Sequence, residues 1–145
     1  ENVHWRPDSK GFLAADYPRT PLYDLSGGSK TFATESAAGH LGWTIDSRGF
    51  ISVPDENLVF NSMDGSSRTI CAVRQPGETD ADFNSYATER VEWRDANVGV
   101  AEYCTDAVSR YIVFDLQSGR CERIPIPSVG CQQPELNNPV QIRWK

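Results

Sequence analysis

From Leu41 onward, short runs of alternating apolar and polar residues are separated by turn-forming clusters, the period-two pattern of half-buried strands. Trp43-Thr-Ile45 and Phe50-Ile-Ser-Val53 flank Asp46-Ser-Arg-Gly49, which suits a type I turn followed by a glycine bulge. Leu58-Val-Phe60 and Thr69-Ile-Cys-Ala-Val73 flank Met63-Asp-Gly-Ser66, with Asp64-Gly65 marking a tight turn. Val91-Glu-Trp93 and Val98-Gly-Val100 enclose Arg94-Asp-Ala-Asn97. Tyr111-Ile-Val-Phe-Asp-Leu116 and Cys121-Glu-Arg-Ile124 enclose Gln117-Ser-Gly-Arg120, and Val140-Gln-Ile-Arg-Trp144 alternates as a last strand.

Residues 1–40 read as irregular. Pro7, Pro18, Pro21, the pair Gly27–Gly28 and the small-residue stretch Thr34 to Gly39 interrupt them too often for long elements, leaving Phe12–Ala14 and Leu22–Leu25 as edge strands at most. Helix signals are confined to Thr79-Asp-Ala-Asp82, where Thr caps and acids suit the positive end of the dipole, and to a single turn at Thr105–Ser109. Asn84, Ser85 and Thr88 then weaken the first of these. No internal repeat of fixed period appears. The pattern predicts one all-β domain over 1–145, with an irregular segment 1–40 and a β-hairpin core 41–145. The expected architecture is an antiparallel β-sandwich or barrel built from hairpins, with at most one short helix.

Composition adds compartment and partner class. The chain has 145 residues, 39% hydrophobic and 23% charged, which suits a packed core. Its net charge is −6 and its 14 Lys and Arg form no basic run, which argues against nucleic acid and anionic membrane surfaces. No run of apolar residues is long enough to span a membrane as a helix. The chain opens at Glu1, consistent with a removed leader or a trimmed start. Cys71, Cys104, Cys121 and Cys131 contain no CxxC pair, and only two His, His4 and His40, accompany them. That pattern favours two disulfides over a zinc site and implies an oxidising compartment; four buried thiols are the alternative. Of three connectivities, Cys71–Cys104 with Cys121–Cys131 is favoured, because the short second loop closes at little entropic cost. Each bridge contributes about 2–4 kcal/mol. No N-glycosylation sequon occurs.

Catalytic signatures are absent from the sequence: it holds no G-x-S-x-G, S-x-x-K or H-E-x-x-H. Gly27-Gly-Ser-Lys-Thr31 fails the spacing of a phosphate loop. Among the 20 Asp and Glu, Glu89, Glu92 and Asp46 are candidates for paired-carboxylate chemistry, but nothing in the sequence shows that any two converge, and solvated surface carboxylates are the better reading. Asp80-Ala-Asp-Phe-Asn84 has alternating oxygen ligands, yet Ser85 and Val91 occupy the glycine and bidentate glutamate positions of an EF-hand. Trp43, Trp93 and Trp144 lie in strand patterns and read as core, whereas Trp5 reads as exposed or packed under a loop. No metal or cofactor is called for.

Cys121-Glu-Arg-Ile-Pro-Ile-Pro-Ser-Val-Gly-Cys131, preceded by Gly119-Arg120, is the most suggestive stretch. It resembles the reactive loop of Bowman–Birk-type serine protease inhibitors, whose Cys-Thr-Lys/Arg-Ser-x-Pro-Pro core places a basic residue two after the Cys. The resemblance implies that Arg123 enters a protease specificity pocket, with Ile124, Pro125, Ile126 and Pro127 completing the binding loop; the two prolines and a Cys121–Cys131 bridge would remove loop entropy before binding. Ile124 stands where the inhibitors carry a small residue, Pro125 comes one place early, and the loop is longer. Taken without the resemblance, the same residues read as an edge strand stopped by Pro125 and Pro127.

In size, four Cys, acidity and processed start the chain resembles the small secreted cysteine-containing proteins of fungi, effectors among them; the late pair Cys121 and Cys131 is also similar to that of β-rich fungal allergens. The resemblance implies a secreted, non-enzymatic virulence protein that binds a host protein, inhibition of a secreted protease being one route. A carbohydrate-binding module, a small carboxylate-dependent hydrolase and a barrel holding an apolar ligand are the alternatives.

Overall fold

The computed structural model describes residues 2–15, 19–33, 42–53, 57–74, 76–77, 87–105 and 108–124. All twelve elements among them are strands. They form three four-stranded antiparallel meanders in which each strand pairs with the next in sequence. Sheet 1 comprises β1 (Asn2–Trp5), β2 (Gly11–Ala15), β3 (Arg19–Asp24) and β4 (Ser29–Ala33). Sheet 2 comprises β5 (Gly42–Trp43), β6 (Gly49–Ser52), β7 (Asn57–Ser62) and β8 (Ser67–Ala72). Sheet 3 comprises β9 (Ala87–Trp93), β10 (Val98–Thr105), β11 (Val108–Asp115) and β12 (Cys121–Ile124).

The four hairpins expected between Trp43 and Ile124 are all present. The described residues between 2 and 33, expected to be irregular with edge strands at most, instead supply the four paired strands of sheet 1. Pro21 does not break it, because the β2–β3 ladder ends at Leu13↔Leu22, one pair before the position where the missing proline N–H would be needed. Within the single helical turn expected at Thr105–Ser109, Thr105 ends β10 and Val108 and Ser109 open β11, with Thr105 and Val108 as cross-strand partners. Thr79–Asp82 and Val140–Trp144 lie outside the described residues.

A two-layer sandwich or closed barrel is not what these sheets build. β6 shows why: Phe50 and Ile51 are adjacent, so they point to opposite faces, yet both are fully buried. Phe50 joins Leu13, Leu22 and Trp43 in a core between sheets 1 and 2. Ile51 joins Val53, Leu58, Ile70, Val73, Ala101, Ile112, Phe114 and Leu116 in a core between sheets 2 and 3. Each fully buried large side chain contributes about 1.5–3 kcal/mol, so sheet 2 is held from both faces. Three successive meanders are thus stacked face to face, with one core between each neighbouring pair.

The turns repeat with the sheets. Between β1 and β2, Arg6 N–H donates to Gly11 O and Ser9 N–H to Arg6 O; between β5 and β6, Thr44 N–H donates to Gly49 O and Ser47 N–H to Thr44 O. Ser9 and Ser47 have matching φ of 59° and 60°. Gly11 and Gly49 are obligatory, because a Cβ there would sit 2.3 Å from Tyr23 O and Asn61 O respectively. At the β3–β4, β7–β8 and β11–β12 turns, Gly27, Gly65 and Gly119 take φ of 101°, 93° and 71°. Tryptophan ends the first strand of each sheet at positions 5, 43 and 93, separations of 38 (43 − 5) and 50 (93 − 43) residues. A repeat is therefore present without a fixed period, which is why periodicity alone does not expose it.

Among the described residues one disulfide, Cys71–Cys121, joins β8 to β12 with a Cα–Cα distance of 6.3 Å. The favoured pairing of Cys71 with Cys104 and Cys121 with Cys131 is thereby overturned: β8 and β12 are the terminal strands of neighbouring sheets on the same side of the stack. Cys131 and the Cys104 side chain lie outside the described residues. A bridge spanning 50 residues removes about 4 kcal/mol of chain entropy from the unfolded state in the loop-closure account.

Candidate binding groove and aromatic face

Sheets 2 and 3 are registered at their turn ends by backbone and arginine contacts. Arg48, in the β5–β6 turn, donates from Nη2 to Ala96 O at 2.7 Å and to Asn97 Oδ1 at 2.5 Å, across to the β9–β10 turn. Its Nε lies 3.4 Å from Asp46 Oδ2. Arg68, in β8, donates from Nη2 to the Leu116 carbonyl in the β11–β12 turn. Within sheet 2, Arg68 is the cross-strand partner of Phe60. Both guanidinium carbons lie 5.8 Å from the Phe60 ring centroid, so one aromatic ring carries two cations.

These residues line an open groove of about 550 Å³, completed by Ser62, Asn97, Leu116 and Gln117. Among the described residues its lining carries two arginines and no carboxylate. Arg68 has no acidic partner among the described residues, in a chain of net charge −6. The bordering turns are locked by aspartates. Asp95 accepts from Asn97 N–H at 2.8 Å and Val98 N–H at 2.9 Å. These bonds, with Arg94 beside it, hold the Asp95 carboxyl down at about 2. Asp115 accepts from Ser118 Oγ and Gln117 N–H, which lowers its carboxyl as well.

The face of sheet 1 turned away from sheet 2 carries a second feature. Trp5 packs on Phe12 with centroids 5.1 Å apart, and Phe12 on Tyr23 at 5.2 Å. Trp5 is 56% and Tyr23 43% exposed, with Val3 and Leu25 exposed beside them. Of the two placements expected for Trp5, exposed or packed under a loop, the structure shows the first, and Trp43 is in the core as expected; Trp93 is half-buried against the core, and Trp144 lies outside the described residues.

The residues expected to form an inhibitory loop are placed differently. Cys121 is bonded to Cys71, so it does not close a loop with Cys131. Arg123 and Ile124 are in β12, paired with Ile112 and Tyr111. Arg123 is half-buried and donates from Nη2 to Val73 O at 3.0 Å, tying sheet 3 to the end of sheet 2. Pro125, Ile126 and Pro127 lie outside the described residues, as do His40 and Asp80–Asn84. Glu92 and His4 are half-buried in β9 and β1. Among the described residues no three His, Cys, Asp or Glu converge as metal ligands, and no helix is long and apolar enough to cross a membrane.

Sequence reasoning passed over Arg48, Phe60, Arg68 and Asn97. The available signal was Phe60 and Arg68 flanking the Asp64–Gly65 turn, at positions that antiparallel pairing brings opposite each other. The chain matches no protein-family model, no curated protein and no solved structure. Fold and groove together define it as a repeat-built all-β protein with a cationic, aromatic-floored groove between two bridged sheets.

Proposed function

We propose that this is a secreted, non-enzymatic binding protein that holds an acidic segment of a macromolecular partner in the groove between sheets 2 and 3. The observation that carries this reading is the pair Arg48 and Arg68 over Phe60, in a lining without carboxylates among the described residues. Guanidinium groups bind carboxylates through paired, charge-assisted hydrogen bonds, and their weak hydration lets them remain stacked on an aromatic ring while doing so. The arginine bridges, the disulfide and the aspartate-capped turns hold the groove in shape, so little ordering is needed on binding. The disulfide supports an oxidising, extracellular compartment. The resemblance to fungal effectors extends the proposal to a host protein, secreted proteases among the targets.

Fluorescein-labelled hexaglutamate is a direct probe. Its anisotropy is expected to rise with the oxidised protein at low ionic strength and to lose the gain in high salt. Arg68→Gln is expected to weaken the affinity about tenfold, since one charge-assisted hydrogen bond is removed. Equal binding by the Arg68→Gln protein, or no anisotropy change with the parent, would sink the reading.

A further inference from the structure

Each sheet carries the same three cross-strand positions on one face. In sheet 2 they are Trp43, Phe50 and Asn61; in sheet 3, Trp93, Gly99 and Phe114; in sheet 1, Trp5, Phe12 and Tyr23. In sheet 2 this face lies on sheet 1, where Trp43 and Phe50 pack on Leu13 and Leu22. In sheet 3 it lies on sheet 2, where Phe114 is fully buried and Trp93 packs against the core containing Ile51. The equivalent face of sheet 1 instead leaves Trp5 and Tyr23 exposed, with Phe12 half-buried between them.

Numbers at equivalent positions make the point. Trp43 is 8% exposed and Trp5 56%. Trp43 and Phe50 meet at 5.6 Å with rings tilted 65°; Trp5 and Phe12 meet at 5.1 Å with rings tilted 54°.

Polar positions repeat as well. Trp43 Nε1 donates to His4 O of sheet 1 at 2.9 Å, and Ser47 Oγ accepts from Asp8 N–H of the sheet 1 turn at 3.1 Å. Trp5 and Ser9 occupy the corresponding positions, and Ser9 has the same left-handed φ as Ser47. Neither Trp5 Nε1 nor Ser9 Oγ makes a hydrogen bond among the described residues. The donor and the acceptor needed by an incoming sheet are thus already in place.

We propose that the Trp5–Phe12–Tyr23 face of sheet 1 seats a further four-stranded sheet of this same repeat. That sheet presents two large aliphatic side chains where sheet 1 presents Leu13 and Leu22. It also offers a strand carbonyl to Trp5 Nε1 and a turn N–H to Ser9 Oγ. A second copy of this chain is not the occupant, because its own Leu13–Leu22 and Ile51 faces are already filled by Trp43 with Phe50 and by Phe114, and Val100 and Tyr111 on the outward face of sheet 3 are already buried.

The test is a chain extended ahead of Glu1 by a duplicate of its own residues 1–41, which supplies a free Leu13–Leu22 face. Hydrogen exchange of the Trp5 indole N–H is followed by NMR, with the resonance assigned through Trp5→Phe. In the parent chain this N–H is expected to exchange rapidly. In the extended chain it is expected to slow at least about tenfold, towards the protection of Trp43. Changing both leucines of the duplicate to Asp is expected to restore rapid exchange. Unchanged exchange in the extended chain overturns the proposal, whether the added sheet fails to fold or folds without docking. So does protection of Trp5 in the parent alone, either through self-association seen by sedimentation or on addition of a glycan panel.

Discussion

Cys71 and Cys121 bridge the terminal strands of two neighbouring sheets, with Cα atoms 6.3 Å apart. The bridge is the covalent counterpart of the core between those sheets. Non-reducing peptide mapping is expected to recover Cys71 linked to Cys121. With those two consumed, a second bridge can only be Cys104–Cys131. Cys121→Ser is expected to lower stability by about 2–4 kcal/mol in chemical unfolding. A Cys71–Cys104 peptide would contradict the sheet arrangement directly.

Phe50 and Ile51 are neighbours in sequence but belong to different cores. Leu13→Ala should therefore couple to Phe50→Ala and be independent of Ile51→Ala. Double-mutant cycles by urea unfolding are expected to give an interaction energy of about 0.5–3 kcal/mol for the first pair, and below about 0.5 kcal/mol for the second. Each single substitution is expected to cost about 2–5 kcal/mol. Equal coupling in both cycles would mean that sheet 2 does not separate two cores.

Gly49 and Gly27 are required for different reasons. A Cβ at Gly49 would lie 2.3 Å from the backbone oxygen of Asn61, which cannot move without breaking the β6–β7 ladder. Gly49→Ala is expected to cost about 1–3 kcal/mol through overpacking. Gly27 has open space around it but a φ of 101°. Gly27→Ala is expected to cost about 1 kcal/mol from backbone strain alone. Thermal unfolding of the two variants separates these effects: the same Cβ would also meet the Phe60 ring at 2.6 Å, but adding Phe60→Ala leaves the clash with the Asn61 main-chain oxygen in place.

Much of the strand pattern was legible in sequence, and the physics explains where legibility ended. Hairpins such as β7–β8 announce themselves, because Asp64-Gly65 satisfies a turn whose geometry is local. Sheet 1 was hidden by Pro21 and Gly27–Gly28, residues that normally interrupt structure; here the proline falls just past a ladder end and Gly27 supplies the left-handed turn. Alternation assigns residues to two faces of a strand, but it cannot say that both faces of β6 meet other sheets. Loop entropy pointed to Cys121–Cys131, whereas the pairing is decided by which strands end up terminal in adjacent sheets. The groove was the least legible part, because Arg48, Phe60 and Arg68 converge only after turns and register have both formed.

Asp95 gives the stack its acid sensitivity at the groove. Its carboxylate accepts from Asn97 and Val98 N–H and lies beside Arg94, so its folded pKa is about 2 against an ordinary 3.8. A lowered folded pKa stabilises the protein fully above the unfolded value and loses that contribution as pH falls through the folded one. Stability should therefore decline as pH drops from about 5 towards 2, with Asp24, Asp64 and Asp115 acting in the same direction through their serine and backbone hydrogen bonds. Asp95→Asn keeps an oxygen for the two backbone donors but removes the titration. It is expected to be less stable than the parent at pH 7 and to show a shallower decline between pH 4 and 2, read from urea midpoints at each pH. The two curves should converge at the acid end, where the parent carboxyl is protonated. Parallel curves would mean that Asp95 titrates as it does in the unfolded chain and that the turn is held by backbone geometry alone.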